Sequence, residues 1–196
     1  VKKQFFGLVA FTQVKQDFSS WENNPDKIPT LEDWTKNFAK ILKDNAIDIT
    51  EVSYLREADS FDSILHFFIK EAFVREQELL NLNLNTQIQV YEDPTLQAEL
   101  SIITYLSELN QSRLIASKNK AGLTSFNWLL TREPFSPALV RVLLSHDLSP
   151  SNYAGKTLDN FKQKKLEKPQ ALELSKEAQE AIELFKEENS SAKETI

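Results

Sequence analysis

Glycine occurs only three times in 196 residues, at Gly7, Gly122 and Gly155. Average usage is roughly 7%, so the chain has very little of the one residue that takes positive φ freely. Few tight turns can form, and no glycine-rich loop is available to cradle a phosphate. Dinucleotide-binding and P-loop architectures are therefore disfavoured. The hydrophobic pattern points instead to helices joined by polar connectors.

Cysteine is absent. Disulfides, thiolate metal sites and a thiol nucleophile are thereby removed, and the composition suits a reducing cytosol. The formal net charge is −6. Nucleic-acid affinity is carried by clustered Lys and Arg, so a nucleic-acid partner is not expected. The densest basic run, Lys162 to Lys165, reads as a solvated helix end. A domain of this length buries roughly 70% of its unfolded surface and needs no metal or covalent staple. The apolar run Phe5 to Phe11 follows Lys2 and Lys3 but is far short of the roughly 20 residues of a membrane span. It reads as the start of the first core helix rather than a targeting segment.

Three helices are expected in the N-terminal part. The first covers about 3–21 and is followed by a polar loop through Pro25. The second opens at Thr30, whose hydroxyl can accept a first-turn N–H, with Asp33 near the positive helix end. Trp34, Phe38, Ile41 and Leu42 then share a face. The third covers about 60–80, with Phe61, Ile64, Leu65, Phe68, Ile69 and Ala72 in one stripe. Phe67, Phe73 and Val74 widen that stripe, which implies burial on two sides. His66, beside it, reads as a partly buried core neighbour. A fourth helix is expected over about 95–110, opened by Pro94 and carrying Leu96, Leu100, Ile103 and Leu106 or Tyr105 on one face.

Between the third and fourth helices the pattern changes. From Leu80 to Val90 apolar and polar residues alternate with period two, the signature of a strand. A short β-hairpin turning near Asn85 and Thr86, an extended connector, an edge offered to a partner strand and a continued helix all remain open. Further on, residues 169–188 read as a mixed-charge helix with Ala171, Leu174, Ala178, Ala181, Ile182 and Phe185 on one side.

Gly122 and Gly155 stand 33 residues apart, each preceded by alanine and followed two positions later by threonine, Thr124 and Thr157. A tight turn needs the glycine, and the threonine can cap the helix that follows. The run Gly122 to Leu130 resembles the ankyrin repeat, whose period is 33. Thr124 matches the family's threonine. Ser125, Phe126 and Asn127 replace its proline, leucine and histidine, and Leu129 and Leu130 replace its small alanines. Leu143 and Leu144 resemble the paired leucines of the second helix, with Asp147 where glycine usually ends it. The resemblance covers roughly 96–161.

Helical periodicity along the chain gives an all-α expectation, with a possible short β-hairpin or extended segment near 80–91. A helical bundle over 1–93 would be fused to ankyrin-like helical hairpins over 94–166. A capping helix and tail over 167–196 would close the same body. In ankyrin-like folds the turn tips and first helices face the partner. Carried onto this sequence, that surface holds Lys120, Leu123, Thr131 and Arg132, then Tyr153 and Lys156, with Trp128 either on it or in the core.

Little catalytic equipment is legible. The only two histidines are His66 and His146, and His146 with Asp147 are neighbours that point apart on a helix. No metal or cofactor is expected, and a small-molecule substrate is not. The expectation is a non-enzymatic protein-binding module in the cytoplasm. By analogy with small acidic helical proteins of bacteria that live inside eukaryotic cells, it would be an adaptor or chaperone of a secretion system, or its effector. The contrasting expectation is a hydrolase or transferase using carboxylates of the N-terminal bundle, near Glu51, Glu57 and Asp59.

Overall fold

In a computed structural model of the chain, the described residues are 2–82, 90, 92–109, 113–132 and 139. They are all-α: five α-helices and two short 3-10 helices, with isolated β-bridges in place of a sheet. The helices are α1 (Lys2–Trp21), α2 (Leu31–Asp44), α3 (Ile64–Asn81), α4 (Pro94–Ser107) and α5 (Ser125–Leu130). The 3-10 helices are Pro25–Lys27 and Ile49–Tyr54. No described helix is long and apolar enough to cross a membrane. The chain divides into two compact units, Val1–Ser125 and Phe126–Ile196. The alternating stretch at 83–89, Gly155 and the expected helix over 169–188 lie outside the described residues.

The first unit is built on aromatic rings. Along α1, Phe11, Val14, Phe18 and Trp21 recur every three or four residues and are all buried, as helical periodicity requires. Thr30 caps α2 by accepting the Asp33 N–H at 3.1 Å. The helix then buries Trp34, Phe38 and Leu42, leaving Ile41 half-buried at the edge. Trp34 stacks on Phe38 with centroids 4.9 Å apart. Phe68 of α3 meets the Phe18 and Trp34 rings edge-on, each at 5.7 Å. Tyr105 of α4 adds an edge contact to Trp34. Edge-to-face geometry places ring hydrogens against π-faces, and such pairs add roughly 0.5–1.5 kcal/mol beyond the area they bury.

The third helix starts later than its apolar pattern predicts. Ser63 is its N-cap. Phe61, expected in the core stripe, instead takes φ 57° in the preceding turn and is 52% exposed. Val74, also expected to widen the buried face, is 50% exposed. The second buried side carries Arg75 and Glu76 instead, which apolar periodicity cannot register. Helix α4 opens as expected, with Asp93 accepting the Leu96 N–H at 2.9 Å beside Pro94. It ends at Ser107, short of the expected Asn110. Leu96, Ile103 and Leu106 are fully buried.

Two small residues sit under opposite constraints. At Gly7, α1 crosses the end of the 3-10 helix so closely that a Cβ would lie 2.1 Å from the Tyr54 carbonyl oxygen. At Ala46, just past α2, the backbone takes φ 54°, a conformation that disfavours any Cβ. Substitutions there should have opposite signs. Gly7→Ala is expected to lower stability by about 1–3 kcal/mol through overpacking. Ala46→Gly should raise it by up to about 1 kcal/mol by relieving strain. Urea denaturation of both variants measures the pair.

Candidate functional site

Around Gly122 the chain makes the tight turn its glycine implies. Gly122 has φ 78°, and its N–H donates to the Asn119 carbonyl at 2.9 Å. The Asn119 N–H donates to the Leu123 carbonyl at 2.9 Å, and the Asn119 side-chain oxygen accepts the Leu123 N–H at 3.0 Å. Lys118 and Thr124 pair as an antiparallel bridge just outside. The turn is closed on itself, and Thr124 is buried directly ahead of α5.

Polar side chains of the Arg56–His66 region fasten this turn to the start of α3. The Lys120 N–H donates to the Ser60 carbonyl at 2.8 Å. Arg56 spans the junction, with Nη1 donating to the carbonyls of Phe61 and Lys118, both at 2.9 Å. Asn119 donates to the Asp62 carboxylate at 3.1 Å, and Asp62 also pairs with Lys70 at 2.7 Å. A planar guanidinium with several donors in fixed directions suits such a bridge.

His66 completes the fastening. Its Nδ1 faces the Ser63 N–H at 3.1 Å, and its Nε2 lies 2.8 Å from the Leu123 carbonyl. Because Nδ1 must accept from a backbone N–H, the ring proton sits on Nε2 and is donated to Leu123. The ring is fully buried rather than a partly buried neighbour. Burial holds its pKa below the ordinary value of 6.5, against the Leu123 carbonyl and Asp62, which favour the charged form. Arg56 and Lys70 lower it further.

The expected partner-facing residues divide between the units. Lys120 and Leu123 are brought together on this turn, Lys120 exposed and Leu123 half-buried. Trp128, Thr131 and Arg132 form a second group at the end of α5. The Arg132 guanidinium sits 4.5 Å from the Trp128 ring centroid, and its Nη2 donates to the Thr131 hydroxyl at 3.0 Å. That hydroxyl donates to the Trp128 carbonyl at 2.7 Å. Trp128 is half-buried, with one face covered by a cation. Tyr153 and Lys156 lie outside the described residues. Sequence reasoning missed Arg56, Phe61 and His66. Only the cap spacing of Ser63 to His66 carried a trace of them.

The acids separate by role. Asp48 and Glu51 form a capping box on the second 3-10 helix. Glu57 pairs with Lys15 at 3.2 Å and accepts the Ser60 hydroxyl, which holds its pKa below the usual range. These two residues line a groove of about 440 Å³ with Phe11, Thr12 and Asp59. Deeper in the first unit, Glu99 of α4 is fully buried and paired with Arg75 of α3, which also bonds Glu22 at 3.1 Å. Burial outweighs the Arg75 charge and raises the Glu99 pKa to about 7. Its folded value exceeds the unfolded one, so this contribution to stability is complete below pH 4.5 and is lost as pH rises through about 7. Among the described residues, no cluster of three or more metal-ligating side chains occurs. Compared with protein-family models, curated proteins and solved structures, the chain matches none.

For His66 the sign is reversed. Its folded pKa is depressed, so its contribution is present above pH 6.5 and is lost as pH falls through the folded value. Imidazole NMR titration, assigned with His66→Gln, should place the His66 midpoint below 6.5. A titration midpoint above 6.5 would contradict the buried neutral tautomer.

Proposed function

We propose that the chain is a non-enzymatic protein-binding module, with the turn carrying Lys120 and Leu123 and the end of α5 carrying Arg132 as contact surfaces. One observation carries this reading. The Lys118–Thr124 turn is held by side chains from 56–66 while the Lys120 side chain is left exposed. A pre-ordered backbone with free side chains loses little entropy on binding, which is what a recognition surface needs. The ankyrin-like pattern over 96–161 supports the same reading, since that family binds proteins through such turns. The narrower role of secretion adaptor or chaperone, or of effector, in a cytoplasmic setting rests on the acidic, helical character of the chain and is an analogy.

A carboxylate-based hydrolase or transferase is the second reading, favoured by the raised Glu99 pKa. Against it, Glu99 is tied to Arg75, and the groove at Lys15 and Glu57 does not include it.

Affinity purification from the native cell with mass spectrometry tests the leading reading. A specific protein should be enriched. The double variant Lys120→Glu, Arg132→Ala should weaken its capture about tenfold or more, the scale of a lost contact worth about 1.4 kcal/mol, with helical circular dichroism unchanged. Copurification with secretion-system components would favour the adaptor, and recovery from host cytosol the effector. Undiminished capture would remove the assignment of this surface.

A further inference from the structure

Phe61 is anomalous in two independent ways. A bulky residue at φ 57° is a conformational outlier, and its ring is 52% exposed. The conformation is nevertheless enforced: the Phe61 N–H donates to the Glu57 carbonyl at 3.1 Å, and its own carbonyl accepts from Arg56 at 2.9 Å. Strain that the surroundings over-determine points to use of the side chain so displayed.

What lies beside it decides the use. Arg56 bonds the Phe61 and Lys118 carbonyls with the same Nη1, and the Ser60 carbonyl accepts the Lys120 N–H. Phe61 is therefore adjacent to the Lys118–Leu123 turn, although nearly 60 residues separate them in sequence. Lys118 and Lys120 are exposed there. Between Glu108 and Glu133 the chain carries no acid, in a molecule whose net charge is −6. Of the acids near Phe61, Asp62 is buried against Lys70 and Glu57 is paired with Lys15. Asp59 is the exposed exception. An exposed aromatic residue and two exposed lysines thus stand on backbone segments that are hydrogen-bonded to one another.

We propose that Phe61 and the Lys118–Leu123 turn form one composite docking surface for an acidic peptide segment of a partner protein, with an apolar side chain of that segment set against Phe61. This deepens the protein-binding reading and rests on it. The ring and the half-buried Leu123 supply the apolar contact, and Lys118 and Lys120 supply charge complementarity and a salt-dependent approach.

Panning a random 16-residue peptide library against the immobilised full chain near physiological salt tests this. Enriched peptides should carry Asp or Glu around Leu or an aromatic residue. Their affinity should fall about tenfold in Phe61→Gly and again in Lys118→Glu, Lys120→Glu. Phe61→Gly should unfold at the same or a higher temperature, because glycine tolerates positive φ, so a loss of binding cannot be ascribed to misfolding. Enrichment of basic or uncharged peptides, no enrichment, or affinity indifferent to both variants would overturn the proposal. A chain that captures a cellular protein through Lys120 and Arg132 but fails this test loses only the acidic-segment assignment. One that captures nothing from the cell loses the protein-binding reading itself.

Discussion

His66 has no exposed atom, yet both ring nitrogens are engaged, one with the cap of α3 and the other with a carbonyl 57 residues away. A buried imidazole without partners would be destabilising; with both satisfied it becomes a rigid link. The geometry of the surface depends on that link. It fixes where α3 begins, and therefore where the Phe61 turn stands, while holding the Leu123 carbonyl against the same helix start. Arg56 repeats the arrangement on the outer side, joining the Phe61 and Lys118 carbonyls. The polar groups hold backbone to backbone, and the side chains of Phe61, Lys118 and Lys120 remain outside the network.

This fastening rests on a core of another kind. Phe18, Trp34, Phe38 and Phe68 are locked by ring geometry, and Gly7 lets α1 approach the 3-10 helix at a distance no side chain would permit. Arg75 and Glu99 bind α3 to α4 through a buried ion pair. Such a pair recovers little net stability after desolvation, while removing one partner leaves the other buried and unpaired. Two buried titrating groups therefore act oppositely below neutrality. Acidification removes what neutral His66 contributes and relieves what ionised Glu99 disfavours.

The helices were legible because period and caps are local signals. Thr30 and Pro94 announce the starts of their helices, and Trp34, Phe38 and Leu42 of α2 are buried as their spacing implies, with Ile41 at the edge. Phe61 shows the limit. Its hydrophobicity and spacing assign it to the stripe of α3, but the cap at Ser63, completed by His66 and a remote carbonyl, moves the helix start past it. Arg75, Glu76 and Glu99 were illegible for a related reason: a charge is buried only when a partner from another helix meets it, and one-dimensional periodicity contains no partner. Gly122 was legible as a turn because positive φ is a local demand. That Arg56 and His66 would fasten this turn to α3 is a long-range fact, and the Ser63 to His66 cap spacing is its one local trace.

Native-state hydrogen exchange at the Lys120 and Leu123 amides tests the fastening most directly. If His66 and Arg56 hold the turn, both amides exchange slowly. Arg56→Lys should then speed them about tenfold, the effect of losing a hydrogen bond worth about 1.4 kcal/mol, while amides in α1 and α2 stay unchanged. Rapid exchange at both positions in the unaltered chain, at the rate of a free loop, would contradict the account.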